Sequence, residues 1–235
     1  MGVTLRNCAV CLRWGLGTLL AAQVHGAVYR IEAVAGTSHL GDGGPAVRAQ
    51  LGTIQGIAVD RSGNVYLSDT DRHRVRKVAL NGIITTFAGT GSQGFSGDDA
   101  PAAAAQLSLP YGLAVEPSGT VYIADLGNGR VRRVTPDGVI STVESGLAAP
   151  RNVAVDAAGN LYISEFEGHR VRRLGIDGRS TVVAGNGAPG FRGDGLLATS
   201  AQLAFPAGLA VDHGGAVYVA DSQKGRIWRI AYTGK

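Results

Sequence analysis

Four stretches of this 235-residue chain repeat one another, and this repetition constrains the fold more than any other feature of the sequence. Each stretch carries an acidic residue that is followed, five positions later, by an arginine. The stretches begin at Gly56, Gly112, Asn152 and Gly208, and their acidic residues are Asp69, Asp125, Glu165 and Asp221. The acidic positions are 56, 40 and 56 residues apart, so the basic unit has 40 residues and some copies are lengthened by an insert.

Each unit contains four short segments with the character of β-strands. In the first unit these are an apolar run at 57–59, alternating segments at 64–68 and 75–80, and a segment at 83–87 that follows the turn dipeptide Asn81-Gly82. Four strands in a unit of this length predict an all-β protein, a β-propeller with four four-stranded blades. The 36 glycines agree with this prediction, because many tight turns are needed.

The chain begins and ends out of phase with the unit. A lone segment resembling a fourth strand, Tyr29–Ala35, precedes the first unit, whereas the last unit ends near Ile230 after its third strand. We therefore predict that the N-terminal strand pairs with that third strand and closes the last blade, which would remove exposed sheet edges.

The repeated residues resemble a known family. The run GNVYLSDTDRHRVRKV and its echo GNLYISEFEGHRVRRL are similar to the NHL repeat, and ITTFAGTGSQGFSGDDAPAAAAQL resembles the linker of bacterial NHL proteins and of the teneurin-type NHL domain. The resemblance implies an NHL-repeat β-propeller. Propellers of this family commonly have about six blades, so a closed ring of four, an incomplete ring and a ring completed by two chains all stay open.

Residues 1–26 differ from the rest of the chain. Arg6 and Arg13 precede or flank an apolar run from Trp14 to Ala22, and Val24-His25-Gly26 offers small residues near a cleavage point. This pattern predicts a signal peptide, a mature domain at 27–235 and a secreted or periplasmic location, with an uncleaved anchor as the alternative. The predicted peptide holds two basic and no acidic residues, so its removal lowers the net charge from +4 to +2 and gives no argument for nucleic acid.

Three inserts of similar sequence, at 41–51, 94–107 and 190–203, precede the first, second and fourth units; we call them inserts one, two and three. Each has an aspartate before an alanine-rich stretch that ends in leucine. We expect the aspartates to cap a helical turn and the leucines to enter the core between blades. Calcium binding by the same carboxylates is the alternative, although each loop offers too few oxygens. The aspartates are Asp42, Asp98 and Asp194, and the leucines are Leu51, Leu107 and Leu203.

Residues found in every unit are expected to hold the blades together. The arginines are predicted to pair with carboxylates or turn carbonyls of their own blade, and a tyrosine in each second strand is predicted to pack in the core. These residues are Arg74, Arg130, Arg170 and Arg226, with Tyr66, Tyr122, Tyr162 and Tyr218.

A binding site is better sought where the units differ. The residues at the start of each inner strand should surround the channel mouth on the face that carries the inserts, and the third unit departs most from the others. An anionic or polyhydroxylated ligand would find hydrogen-bonding groups there. The predicted ligand-binding residues are Gln55, Tyr111, Arg151, Asn152, Glu165, Glu167, His73 and His169.

These features favour an exported, non-catalytic scaffold for a protein, peptide or glycan, with Phe95 and Phe191 expected on the rim. The alternative comes from the family resemblance and is a metal-dependent lyase or a lactonase-like hydrolase of the six-bladed type. The sequence identifies no catalytic or metal-binding residue, so no cofactor is predicted, although a divalent metal is left open. A monomer or a ring-completing dimer is expected, without nucleic acid and without a stable membrane span once the peptide is cleaved.

Overall fold

The computed structural model describes residues 32–36, 41–223 and 225–231. The chain divides into the units Met1–Glu32 and Ala33–Lys235, and all strands described lie in the second. Within the described residues, every helix is a three-residue 3-10 turn, and none is long and apolar enough to cross a membrane. These turns are Ala46–Arg48, Thr70–Arg72, Ala102–Ala104, Leu126–Asn128 and Ala198–Ser200. The predicted signal peptide lies outside the described residues.

The strands form four antiparallel sheets arranged as the blades of a β-propeller, which confirms the predicted fold class. Blade one has β1 (Ile54–Val59), β2 (Val65–Asp69), β3 (Arg74–Val78) and β4 (Ile84–Ala88). A short strand, β5 (Ala100–Pro101), comes from insert two. Blade two has β6 (Pro110–Val115), β7 (Val121–Asp125), β8 (Arg130–Val134) and β9 (Val139–Ser145). Blade three has β10 (Pro150–Val155), β11 (Leu161–Glu165), β12 (Arg170–Leu174) and β13 (Ser180–Ala184). Blade four has β14 (Pro206–Val211), β15 (Val217–Asp221) and β16 (Arg226–Ile230).

The predicted closing strand is only partly described. Residues 29–31 lie outside the described residues, and 32–36 are described without strand structure. Ala35 packs on the core of blade one, and the backbone N–H of Gly36 donates to the Ala46 carbonyl at 3.1 Å. The described part of this segment therefore lies beside blade one, and the sheet of blade four contains three described strands.

Neighbouring blades bury apolar side chains between them. We call the side of a blade that meets the following blade its back face, and the opposite side its front face. Val75 on the back of blade one shares a core with Leu113 on the front of blade two, and Val131 on the back of blade two shares one with Val153 on the front of blade three. The same arrangement recurs between blades three and four. Burial of this surface is the main stabilising contribution of each joint.

The inner strands approach so closely that some positions require glycine. A Cβ atom on Gly56 would overlap the carbonyl oxygen of Tyr111 in the next blade, and one on Gly112 would lie 2.6 Å from the Cα atom of Asn152. A hydroxyl also crosses one joint, since Thr70 Oγ1 donates to the Pro110 carbonyl at 2.7 Å. The glycines at the start of these strands are thus a consequence of blade packing.

The tyrosines occupy their expected place and have a second contact. Tyr66 and Tyr162 are buried in the cores between blades, which confirms the packing prediction for these two residues. Each hydroxyl also donates to an acidic residue of the preceding turn, as Tyr122 does to Glu116 at 2.8 Å. Burial, together with the neighbouring carboxylate, raises the pKa of Tyr122 to about 12.

Inserts one and two run along the outer edge of the blade that follows them. In insert two, β5 pairs with β9, and in insert one Pro45 forms a bridge with Ile83 beside β4. Leu107 and Leu203 are buried at the ends of their inserts, as predicted, and Leu51 packs partly buried on the core of blade one. Inserts one and two therefore protect outer strands that would otherwise present unpaired backbone groups.

Candidate functional site

The acidic residue found in every unit has an architectural task. It is buried at the end of the second strand and accepts a hydrogen bond from the backbone N–H 17 residues earlier, in the loop that leads into the same blade. The pairs are Asp69 with Gly52 (2.8 Å), Asp125 with Ser108 (2.7 Å), Glu165 with Ala148 (3.0 Å) and Asp221 with Ala204 (3.0 Å). Each carboxylate fixes the loop before its blade.

Glu165 was predicted to bind ligand, but its side chain is fully buried. Arg170 contacts one of its oxygens at 2.8 Å and Arg172 contacts the same oxygen at 3.0 Å, while the other oxygen accepts the Ala148 N–H. This carboxylate is committed to blade three, so the ligand contact expected for it is corrected to a structural one. The two guanidinium groups and the N–H lower the pKa of Glu165 against the opposing effect of burial.

The Asp125 carboxylate lies farther from its arginine than the Glu165 carboxylate does. The Asp125 carboxylate is buried, and the nearest guanidinium atom of Arg132 is 3.7 Å from it. Burial raises the pKa of Asp125 to about 6, although hydrogen bonds from Asn128 and Ser108 act in the other direction. The folded protein therefore holds a proton on Asp125 at pH values where the unfolded chain has lost it.

We expect a pH dependence of stability from this residue. Because the folded pKa is raised, the contribution is complete below the unfolded pKa of 3.8 and is lost as the pH rises to about 6, a change of about 3 kcal/mol in the free energy of unfolding. Urea denaturation of wild type and Asp125→Asn between pH 4 and 7 measures it. The difference between the two proteins should change across this interval and level off above it. A constant difference would show that Asp125 titrates normally.

The aspartates of inserts one and two do not cap helical turns. The 3-10 turns at Ala46–Arg48 and Ala102–Ala104 have no side-chain cap. Asp98 instead pairs with Arg132 of the third strand of blade two at 2.7 Å and accepts the Thr142 hydroxyl at 2.7 Å, and Asp42 pairs with Arg76 in blade one. The capping prediction is therefore wrong for these residues, because the nearby arginine competes better for the carboxylate.

The phenylalanine of insert two, Phe95, also contacts the arginine that pairs with Asp98. Phe95 lies over the guanidinium groups of Arg130 and Arg132, at 3.9 and 4.9 Å from the ring centroid. In blade four Trp228 stands where blades one and two have the paired arginine, and Phe191 of insert three lies over Arg226 at 5.6 Å. Phe95 and Phe191, expected on a binding rim, thus fasten the inserts to their blades.

The repeated arginines bond within or beside their own blades. Arg170 pairs with Glu165, as predicted, whereas Arg74 donates to the Thr90 carbonyl at 2.7 Å and Arg226 to the Phe191 carbonyl at 3.1 Å. The predicted pairing within the blade is thus confirmed for Arg170, whereas Arg74 and Arg226 bond carbonyls of the loops beside their blades and Arg130 stacks on Phe95.

The two histidines of the repeat motif join consecutive blades. Nδ1 of His73 accepts the backbone N–H of Leu109 at 3.1 Å, and Nδ1 of His169 accepts that of Phe205 at 3.3 Å. Each contact uses Nδ1 as the acceptor and so fixes the orientation of the imidazole ring between the two blades. Both Leu109 and Phe205 have positive φ, 48° and 60°, and the histidine bonds hold these backbone turns.

The residues that differ between blades produce one continuous feature on the face that carries the turns between second and third strands. The Arg151 guanidinium lies 5.2 Å from the Tyr111 ring centroid and 4.4 Å from that of Phe166. The Phe166 and Phe205 centroids are 4.9 Å apart, and the His169 ring meets Phe205 edge-on at 4.6 Å. We call these five residues the aromatic row; it crosses from blade two to blade four.

Arg151 is half-buried in this row. Its guanidinium has ring contacts, but none of its five N–H groups has a hydrogen bond or ion pair to any described residue. A stacked guanidinium keeps its N–H edge available for a carboxylate, phosphate or sulfate group.

The other predicted site residues take different positions. Asn152 is half-buried beside the row, and its backbone N–H donates to the Ser164 hydroxyl at 3.0 Å. Glu167 is exposed in the turn that carries Phe166. Gln55 is exposed on β1 in blade one, beside Gly56, whose backbone packs against the Tyr111 carbonyl. The structure thus joins Tyr111, Arg151 and His169 in one row.

Sequence reasoning missed Phe166 and Phe205 as members of this row. Phe166 stands where the other units have Thr70, Leu126 and Ser222, and a large aromatic residue at a turn position was a usable signal. The sequence signal for Phe205 was weaker, because the positive φ that brings this residue to the row cannot be predicted from the sequence.

A groove of about 680 Å³ lies on the opposite face, between blades two and three. Glu116, Tyr122 and Asp156 line it, and the two acids bond their own turns and tyrosine hydroxyls. Across the described residues there is no group of three or more histidine, cysteine, aspartate or glutamate side chains placed to hold a metal ion.

Family comparisons agree with this repeat geometry. The family model described as the Teneurin NHL domain matches residues 33–94 and 90–135, and that of the NHL repeat matches 203–230. The chain is an NHL-repeat β-propeller. Within this NHL propeller, the matched segments cover blade one, part of blade two and most of blade four.

Similar proteins extend the comparison. Teneurin-1 of Gallus gallus is 39% identical to this NHL propeller over 103 residues, 38% of this chain and 4% of that protein. A streptogramin B lyase structure superposes with a TM-score of 0.59 and 16% identity over 77% of this chain and 52% of the other. The structure of an auxiliary nutrient binding protein from Bacteroides thetaiotaomicron VPI-5482 superposes with a TM-score of 0.56 and 18% sequence identity, over 78% of this chain and 49% of the other. The chain thus spans 4% of the curated relative and about half of each structure, and the two structures support the fold alone.

Proposed function

We propose that this NHL propeller is a non-catalytic binding module that captures an acidic glycan, or an acidic peptide segment of a protein, on the aromatic row. The observation that carries the proposal is Arg151, held between two aromatic rings with its N–H groups unpaired among the described residues. Such a cation is positioned before any ligand arrives, so little ordering is needed when an anion binds.

The row provides two kinds of contact for such a ligand. Arg151 can donate two parallel hydrogen bonds to a carboxylate or sulfate, and the rings of Tyr111 and Phe166 offer flat apolar surface beside it. The exposed amide of Gln55 and the side chain of Asn152 are available to a larger ligand that extends along the mouth. The combination favours a ring-containing ligand with an acidic group.

Binding without turnover is proposed because the reactive side chains near the row already have structural partners. Glu165 is bound to two arginines, and Nδ1 of His169 accepts a backbone N–H. The predicted signal peptide adds the proposal of a secreted or periplasmic location, where glycans and surface proteins are accessible partners.

A glycan array provides the test. We expect the protein to retain glycans that carry uronic acid, sialic acid or sulfate over their neutral counterparts. Arg151→Ala should weaken this binding about 10- to 100-fold, because a charge-assisted hydrogen bond is lost. Tyr111→Ala should act in the same direction. Arg151→Ala should leave the melting temperature unchanged, whereas Tyr111→Ala should lower it as well, because Tyr111 packs partly buried on the core between blades two and three.

The matched control is Arg179→Ala, which removes the same charge from an exposed turn. It should leave the retained glycans unchanged. Equal loss in both variants would indicate nonspecific charge attraction. The proposal would be contradicted if the protein retained neither acidic glycans on this array nor acidic peptides on a companion array selectively.

A further inference from the structure

The back face of blade four is an unmatched half of a blade joint. Ile227 is 70% exposed, whereas the residues at the same position in the other blades, Val75, Val131 and Val171, are fully buried against the next blade. Ala210 beside it is also exposed, although its counterpart Ala114 is buried. None of the described residues covers this apolar surface.

The front face of blade one is the complementary half. Ile57 is 65% exposed and Val59 is 58% exposed. Leu113 and Val153 occupy the position of Ile57 in blades two and three, where they are buried against the preceding blade. Insert one covers the outer part of this face, around Val78 and Ile84, and leaves the inner part open.

A glycine in blade four leads to the same conclusion. Gly56 and Gly112 are required by the inner strand of the next blade, which leaves no room for a Cβ atom. Gly208 holds the same position in blade four, yet a Cβ atom there would meet only the Ala220 side chain of its own blade, at 3.5 Å. The position keeps the residue that blades one and two require where an inner strand follows, although blade three has Asn152 there and no described strand follows blade four.

We propose that two copies of this chain associate head to tail, with the back face of blade four in one copy packed against the front face of blade one in the other. The occupant of each open face is argued from the joints inside the chain, because every buried joint is formed by one back face and one front face of this repeat. The same surfaces in a second copy are therefore complementary by construction.

Two such joints give a closed ring of eight blades. A repeated head-to-tail contact either closes into a ring or continues as a filament. Propellers typically have four to eight blades, so two four-bladed copies lie within the range of closed rings. Closure would bury Ile227 of each copy against Ile57 of the other and leave no exposed joint.

Light scattering after size-exclusion chromatography, with the full chain over a range of concentrations, tests the proposal. We expect twice the mass of one chain, which is 24.1 kDa before any processing. Ile57→Asp and Ile227→Asp should each raise the dissociation constant at least about 100-fold, because an unpaired carboxylate resists burial in the joint. Ile176→Asp is the matched control, since Ile176 is 78% exposed on a turn outside the two faces, and should leave the dimer intact.

Two further variants separate a dimer joint from a folding defect. Gly208→Ala should weaken the dimer while the circular dichroism spectrum of the single chain stays unchanged. The double variant Ile57→Lys with Ile227→Asp should associate more tightly than either single variant, because the two charges meet across the joint. A monomer at every concentration, a filament, or equal effects of Ile176→Asp and Ile57→Asp would overturn the proposal.

Discussion

Replacement of Arg132 with methionine is expected to lower the free energy of unfolding by about 3–5 kcal/mol, which is the usual effect of removing one partner from a buried ion pair. The Arg132 side chain is fully buried, pairs with Asp98 at 2.7 Å and lies 3.7 Å from Asp125. It also donates to the carbonyls of Gln106 and Ser96, so it joins insert two to blade two. The substitution leaves the Asp125 carboxylate buried without its cation.

Equilibrium urea denaturation at pH 7 measures this loss. The control Arg179→Met removes an exposed guanidinium and should change the stability by less than about 0.5 kcal/mol. The double variant Arg132→Met with Asp125→Asn should recover part of the loss, because no buried charge remains on residue 125. A loss below about 1 kcal/mol in Arg132→Met would contradict the role given to this arginine.

Gly56→Ala is expected to destabilise the protein by about 3 kcal/mol, at the upper end of the range for overpacked sites. The added methyl group would overlap the Tyr111 carbonyl oxygen, and backbone atoms cannot rotate away as a flexible side chain can. The joint between blades one and two would have to open to admit it.

Thermal and urea denaturation of Gly56→Ala and of Gly44→Ala give the comparison. A Cβ atom on Gly44 meets nothing within 4 Å, so this control should be neutral within about 0.5 kcal/mol. Equal stability of the two variants would show that the inner strands have more room than the structure indicates.

The repeat made the fold predictable, because an acidic residue at the end of every second strand and an arginine at the start of every third are set by local hairpin geometry. Asp125 and Arg130 are directly paired across β7 and β8, as the five-residue spacing suggested. The buried leucines at the insert ends followed from their apolar character in the same way.

Contacts between distant parts of the chain could not be predicted from spacing. Asp98 finds Arg132 only because β5 pairs with β9, and the two residues are 34 positions apart in sequence. Local sequence favoured a helix cap, whereas tertiary pairing supplied a charged partner. The aromatic row could likewise be predicted only in part. Tyr111 and Arg151 stand at inner-strand positions that the repeat identifies, whereas Phe205 joins the row from a loop with positive φ that the sequence does not reveal.

The most direct test of the binding proposal is hydrogen exchange measured with and without the acidic probe that the arrays retain most strongly. The proposed function predicts slower exchange in the segments 109–112, 149–153 and 165–169, which carry Tyr111, Arg151 and Phe166 on one face. Protection confined to the opposite groove beside Glu116 and Asp156, or no protection at all, would contradict a ligand site on the aromatic row.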